Sequence, residues 1–300
     1  LRRGNVVGAL SLGLAPADAD HDGLATLRAA ADGKLELLVL LGADPLNDCP
    51  DADLARRAIA GARRVLAVDT FPSESANHAD VVLAAAAYGE KAGTTTNLEG
   101  RVTTLAHQVT ATGTSRPDWM IAVELGLMIG DRSFGADHPL RGVSTVADVT
   151  ALIAKSVPAF AGVTAAALTE QPDGVLIDPS MSPPAPVSFT APPRNSYDYR
   201  LVVSRKLYDR AVGTQMSRSL ANLAPGSSAH VHPLDLDALG VADGADVKLV
   251  GARAACVLPV YADAAVPRGV VWSPFNQGGG NIEDIVDGSA ATTDVRIELV

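Results

Sequence analysis

Cysteine is nearly absent from this sequence: 300 residues carry only Cys49 and Cys256, far apart and without a CxxC spacing. Neither a disulfide framework nor a zinc or iron–sulfur site can be assembled from this chain alone. Two free thiols suit a reducing compartment, and buried, inert thiols are the expectation for both. Positive charge is also short, with 24 Lys and Arg against 34 Asp and Glu, a net charge of -10 and a pI near 5.0. The electrostatic footprint that nucleic acid or an anionic membrane surface requires is missing. The longest apolar stretches, 81–87 and 119–129, fall short of the roughly 20 residues that span a bilayer, and the second contains Glu124. No Ser–His–Asp order, Cys–His pair or HExxH helix is visible, and His78 and His107 stand alone, which leaves hydrolytic catalysis without support. The sequence opens at Leu1 with neither methionine nor a signal-peptide pattern and reads as part of a longer polypeptide.

With 47% hydrophobic residues there is enough apolar material for two domains, each with a core. The apolar run in 35–41 ends in Gly42-Ala43-Asp44-Pro45, the pattern of a parallel strand buried on both faces and followed by a turn. Asp51 or Asp53 can cap a helix through Ala62, and residues 64–68 give a second buried strand that ends at Asp69-Thr70-Phe71-Pro72. A short helix over 75–79 and a third strand over 81–83 continue the alternation, so an open parallel α/β sheet is expected. Pro117 opens a helix over 118–129 whose Trp119, Ile121, Ala122, Leu125 and Met128 make one apolar face, and another helix follows over 145–157. Residues 158–199 turn rich in Pro, Ala and Ser and predict an extended linker. Beyond Tyr199, short β-type runs at 201–204, 229–232, 247–250, 254–261, 269–272 and 295–300 alternate with Gly- and Asp-bearing turns, which suggests a small closed barrel. The expected division is an α/β domain over 1–157, the linker, and a barrel over 200–300.

Residues 81–102, VVLAAAAYGEKAGTTTNLEGRV, read as a buried strand giving way to a Gly, Thr and Asn loop. Such a loop offers backbone N–H groups, hydroxyls and an amide to an anion, although polar loops more often satisfy their own turns. His230 and His232 alternate along a predicted strand, but no Cys or carboxylate stands nearby at ligand spacing, so ordinary strand histidines are expected. Gly278-Gly279-Gly280 opens no clear helix and reads as a barrel loop.

Three stretches carry a family resemblance. Asp69-Thr70-Phe71 and Ala79-Asp80, followed by Glu90, Gly93, Thr94, Asn97, Glu99, Gly100 and Arg101, resemble the third domain of the molybdopterin oxidoreductase family. Residues 200–300 resemble its dinucleotide-binding, double-psi-like barrel through Ser204-Arg205, His232-Pro233-Leu234-Asp235, the LGVADGADV run at 239–247, and Pro274-Phe275-Asn276. The N-terminal RGNVVGALSLGLAP over 3–16 resembles the large iron–sulfur polypeptides of the respiratory complex I type within that family, with Ser11 in place of the usual Asp.

That resemblance implies a position in the peripheral arm of a bacterial complex I, on the cytoplasmic side of the inner membrane, among the flavin- and cluster-bearing subunits. It implies 2Fe-2S and 4Fe-4S clusters bound by an N-terminal part of the polypeptide, and no cofactor, metal or catalytic residue in this segment. Gly42, Asp44, Asp69, Thr94, Asn97 and Arg101 would be the remnants of a pterin pocket. Two departures weaken such a pocket: Asp44 stands where catalytic members carry Asn, and Phe71 where many carry Arg, and both remove attraction for an anionic cofactor. The rival expectation is the C-terminal half of a catalytic molybdenum or tungsten enzyme of the formate dehydrogenase kind, which would bind pterin dinucleotide at Gly42, Asp69 and Thr94. A free-standing binding module is the third.

Overall fold

A computed structural model of the chain describes residues 6–14, 21–177, 190–194 and 198–300. Residues 3–5 and 15–16 of the 3–16 motif therefore lie outside the described residues. The chain divides into two compact units, one drawn from residues 1–25, 68–70 and 82–186 and the other from 26–67, 71–81 and 187–300. These boundaries differ from a division at a 158–199 linker, because each unit gathers segments that are separated along the chain.

Helices α1 (Val6–Ser11) and α2 (Gly23–Ala31) precede the alternation read from the sequence: β1 (Leu38–Leu41), the short α3 (Pro45–Asp48), α4 (Ala52–Gly61), β2 (Val65–Asp69), α5 (Glu74–Asn77) and β3 (Val81–Ala84). The strands form one parallel sheet in the order β1-β2-β3. Asp51 caps α4 by accepting from Leu54 N at 2.9 Å. Small residues decide how closely the helices approach. A Cβ on Gly61 would lie 2.4 Å from the Ala30 carbonyl oxygen, so only glycine lets the end of α4 meet α2. Ala30 and Ala58 pack there with Leu38, Leu40, Val65 and Ala67, each fully buried Leu or Val contributing about 1.5–3 kcal/mol.

Two expectations fail here for the same reason. β1 is covered on one face only: Leu38 and Leu40 are buried, while Val39 is 49% and Leu41 63% exposed. Helices α2 and α4 share the Leu38–Leu40 side. Likewise β3, expected to be buried, is largely exposed and stands at the sheet's edge.

Beyond β3 the stretch expected to be a loop folds as a hairpin of β4 (Gly93–Thr96) and β5 (Arg101–Leu105), because β-branched threonines suit a pleated surface. Helix α6 (Asp118–Phe134) follows, with Ile121 buried beside Val68 and Ala85. Met128, expected on that apolar face, is 78% exposed. The covering cluster reaches only Leu125, and Gly126 and Gly130 instead admit Leu140 and His138. His138 is buried, its Nε2 3.0 Å from the Gly126 carbonyl oxygen and its Nδ1 accepting from Leu140 N at 3.1 Å. Helix α7 (Val146–Ser156) carries a Thr145–Asp148 capping box.

Residues 158–177, expected to be extended, are packed structure: a Pro158–Phe160 turn of 3-10 helix, α8 (Ala165–Glu170) and β6 (Val175–Leu176). Pro158 occupies a first-turn position that needs no N–H donor. Phe160, Val163, Leu168, Val175 and Ile177 form a core with Val102. Most of 178–199 lies outside the described residues.

The remaining strands are β7 (Tyr199–Arg205), β8 (Ala229–Val231), β9 (Asp246–Val250), β10 (Ala255–Ala262), β11 (Val270–Phe275) and β12 (Thr293–Leu299), with α9 (Val212–Gln215) and α10 (Pro233–Leu239) between them. They close a barrel in the order β10-β8-β11-β7-β12-β9. Alternate residues point inward, and Val231, Val247, Leu249, Leu258, Val260, Val271 and Val295 form its core. The HP-D motif is structural: His232 caps α10, and buried Asp235 accepts from Gly269 N at 2.7 Å and pairs with Arg268.

Candidate functional site

Ligands of open parallel sheets gather at the carboxyl ends of the strands. After β1 the chain turns through Gly42, at φ +56°, and the next acidic side chain points inward. Asp44 is 6% exposed. One of its oxygens accepts from Ser75 N at 3.0 Å and Ser75 Oγ at 2.6 Å, the other from Asn47 Nδ2 at 2.7 Å. Ser75 Oγ in turn accepts from Leu46 N at 3.0 Å. The carboxylate that would repel a phosphate is spent on locking two adjacent loops together.

Gly42 and Asp44 belong to one unit, and Asp69, Thr94, Asn97 and Arg101 to the other, so the six candidates form no single cluster within either. Asp69 accepts from Thr70 N at 2.7 Å through its side chain and from Ala85 N at 2.9 Å through its carbonyl. Thr94 lies opposite Thr104 in the hairpin. Asn97 closes that hairpin's turn, its Oδ1 accepting from Glu99 N and Arg101 N, both at 2.9 Å. Arg101 donates to the Gly174 carbonyl at 3.1 Å. The loop satisfies its own backbone, which is the plainer of the two sequence readings.

A small polar cavity lies between the α3–α4 segment and the barrel residues of the same unit. It measures about 120 Å³ and is lined by Asn47, Arg56, Arg210, Asn276, Glu283 and Asp284 among others. Asn276 is the residue that sequence reasoning noted only as part of a barrel motif. Its φ of +58° is left-handed, a conformation Asn tolerates better than most residues. Its N–H donates to Glu283 Oε1 at 2.5 Å and its carbonyl accepts from Arg210 N at 2.9 Å. The side-chain Nδ2 is fully buried and has no partner, an arrangement that costs roughly 1–3 kcal/mol. Burial pushes the Glu283 carboxyl up, an effect that the N–H groups of Glu283 and Asn276 and the Arg210 guanidinium only partly offset. Within the lining Arg56 meets Asp284 at 2.7 Å; in the same unit Arg205 meets Asp48 at 2.8 Å and Asp209 at 2.6 Å.

Of the other residues singled out in the sequence, His230 sits on β8 with its ring 4.8 Å from that of Trp272 and 5.7 Å from that of Tyr261. Burial holds its pKa below the usual value. His232 lies beyond the strand as the α10 cap, so the two histidines are not a strand pair. Among the described residues no cluster of three or more His, Cys, Asp or Glu side chains is placed to hold a metal. Gly280 is packed rather than open: a Cβ there would lie 2.3 Å from Leu258 Cδ2. No helix among the described residues is long and apolar enough to cross a membrane.

Comparisons with known proteins agree with this architecture. Residues 1–127 match the family model described as Molybdopterin oxidoreductase, and 199–296 match the Molydopterin dinucleotide binding domain. The chain is 29% identical over 287 residues to the NADPH-Fe(3+) oxidoreductase subunit alpha of Geobacter sulfurreducens, covering 94% of this chain and 32% of that protein. It is 28% identical over 264 residues to the G 2 subunit of the NADH-quinone oxidoreductase of Rhizobium meliloti, covering 87% and 30%. The F420-dependent formate dehydrogenase 1 subunit alpha of Methanococcus maripaludis is 25% identical over 271 residues, covering 83% and 39%. The chain thus spans about a third of the length of these curated relatives. In fold it superimposes on acetylene hydratase from Pelobacter acetylenicus with a TM-score of 0.67 at 14% identity, covering 92% of this chain and 46% of that one. By sequence motif, sheet and barrel architecture, and similarity to relatives that include an NADH-quinone oxidoreductase subunit, the chain belongs to the molybdopterin oxidoreductase family.

Proposed function

We propose that these residues are the structural, cluster-free part of the large iron–sulfur subunit of a bacterial respiratory complex I. The assembly passes electrons from NADH through FMN and iron–sulfur clusters to a quinone, coupled to proton translocation. On this reading the 2Fe-2S and 4Fe-4S clusters are held by polypeptide outside these residues. The present segment supports that polypeptide and packs against other peripheral-arm subunits, on the cytoplasmic side of the inner membrane. Similarity to the NADH-quinone oxidoreductase polypeptide of Rhizobium meliloti supports the assignment.

The observation that carries it is the size and lining of the cavity. A pocket for a small molecule occupies about 300–1,000 Å³, and this one is about 120 Å³. Two carboxylates, Glu283 and Asp284, face it, and one of its two arginines, Arg56, is already paired with Asp284. A cavity of that size with two carboxylates in its lining is less room than a pterin dinucleotide needs, and together with the inward turn of Asp44 it supports the scaffold reading.

A second reading has one observation in its favour. The unpartnered Asn276 Nδ2 is a buried donor beside a polar cavity, which a bound heterocycle could satisfy in a molybdenum or tungsten oxidoreductase of the formate dehydrogenase kind. Elemental and pterin analysis of the polypeptide purified within its native assembly separates the two. Iron without molybdenum, tungsten or pterin is the expected result; stoichiometric pterin with metal would make this cavity a working cofactor site and overturn the scaffold assignment.

A further inference from the structure

The residues that line the cavity between the α3–α4 segment and the barrel all belong to one unit and to the described part of the chain. Several of its polar side chains are already engaged. Asn47 Nδ2 donates to Asp44, and Arg56 pairs with Asp284. Gln277 donates through Nε2 to the Tyr208 carbonyl at 3.0 Å and accepts through Oε1 from Gly226 N at 3.2 Å. Glu283 accepts the Asn276 N–H, and burial pushes its carboxyl up towards the neutral form. Two donors stand out as unused. Asn276 is 4% exposed and its Nδ2 meets no acceptor. The guanidinium of Arg210 forms no hydrogen bond or ion pair among the described residues. With Arg56 and Asp284 cancelling each other, the lining offers donors and a positive charge to whatever fills it.

We infer that this cavity is a binding site for a small monovalent carboxylate, an ion of about acetate's size, held by the Asn276 side-chain amide and the Arg210 guanidinium. The size follows from the volume of about 120 Å³. At roughly 30 Å³ for each water in the liquid, that is room for about four waters, or for a planar ion of about four non-hydrogen atoms. The sign follows from the donors. A buried amide N–H without an acceptor is costly; a carboxylate oxygen supplies the acceptor, and its charge strengthens the bond and pairs with Arg210. A cation would meet two guanidiniums and an amide donor, and among the described residues no cluster of His, Cys, Asp or Glu is placed to hold a metal. A dianion would face Glu283 and Asp284 in the same lining with only one uncancelled arginine. The inference rests on the scaffold reading, because in the molybdenum or tungsten reading a heterocycle takes up the same Asn276 donor.

Equilibrium dialysis of the polypeptide in its native assembly against radiolabelled acetate tests it, with Tm confirming that each variant is folded. A saturable equivalent that the native chain binds and the variants lose is the expected result. Asn276→Asp tolerates the left-handed φ of +58° but puts an acceptor in place of the donor. Arg210→Gln removes the charge at an exposed position and is the variant least able to disturb the fold. Each should weaken acetate binding at least about tenfold, the loss expected for one charge-assisted hydrogen bond. No saturable acetate binding by the native chain, or equal binding by the native chain and a folded Arg210→Gln variant, would overturn the inference. Stoichiometric pterin in the same preparation, read by its fluorescence after oxidation, would overturn the scaffold reading itself, so the two failures are told apart.

Discussion

Asp51→Asn tests whether the α/β segment and the barrel of one unit are held together by a buried charge. The carboxylate is 3% exposed. Its Oδ1 accepts from Leu54 N at 2.9 Å and from the Arg253 guanidinium at 3.0 Å, and its Oδ2 from Gly288 N at 2.9 Å. Asparagine keeps the cap on α4, because it serves as well as aspartate there. It loses the charge that strengthens the Arg253 bond, about 1 kcal/mol, and it turns an amide donor towards the Gly288 N–H, leaving that group unsatisfied at about 1–3 kcal/mol. The expected loss is about 2–4 kcal/mol by urea denaturation near neutral pH. The pH dependence follows from the direction of the shift. Burial alone would raise the Asp51 pKa, but the N–H groups of Leu54 and Gly288 and the Arg253 guanidinium outweigh it and hold it below 3.8. A depressed carboxyl contributes stability that is fully present above its unfolded value and is lost as pH falls through the folded one. The gap between the native chain and Asp51→Asn should therefore narrow below about pH 4, leaving only the Gly288 part. A loss under about 0.5 kcal/mol, typical of an exposed ion pair, or a gap independent of pH, would refute the argument.

Asp44→Ala should destabilise the fold by about 3–5 kcal/mol, because it strands Ser75 and Asn47 donors in a buried site, and denaturant midpoints would show it. Asp44→Asn should cost less and should not confer pterin binding, which fluorescence of oxidised pterin would check. Gly61→Ala, favourable by about 1 kcal/mol in an exposed helix, should here lower Tm, since the new methyl meets the Ala30 carbonyl oxygen at 2.4 Å; an unchanged or raised Tm would mean that α2 gives way. Cys256, with a pKa of about 11, is a thiolate on the order of once in a thousand molecules at pH 8, so disulfide reagents should modify it only after denaturation.

The elements most legible in the sequence were those whose pattern admits one solution. Val247, Leu249, Leu258 and Val260 alternate with polar or exposed neighbours, and the barrel they predict is the barrel observed. Leu38–Leu41 admits two, because an unbroken aliphatic run suits a strand covered on one face or on both, and coverage is decided by helices that the run does not encode. Gly93–Thr96 went astray through composition: threonine is common in loops and equally at home on a strand, and pairing with residues 102–105 decided it. The cavity was the least legible feature. Asn276 lies just past the end of β11 and Glu283 seven residues on, in a 3-10 turn, and neither the left-handed turn at Asn276 nor its unpartnered amide has a signature in the sequence.

On the proposed reading, Asp44 marks a fold that persists while the use of its binding edge changes. A carboxylate facing an anionic ligand would be unfavourable by simple Coulomb repulsion, yet the same group turned inward accepts three hydrogen bonds, two from Ser75 and one from Asn47, and Ser75 Oγ in turn accepts from Leu46 N. The bonds through Ser75 tie the α3 segment after β1 to α5 after β2. On the proposed reading the substitution does two things at once: it removes a reason for the cofactor to bind, and it replaces the order a cofactor would have imposed on these loops with order drawn from the chain itself.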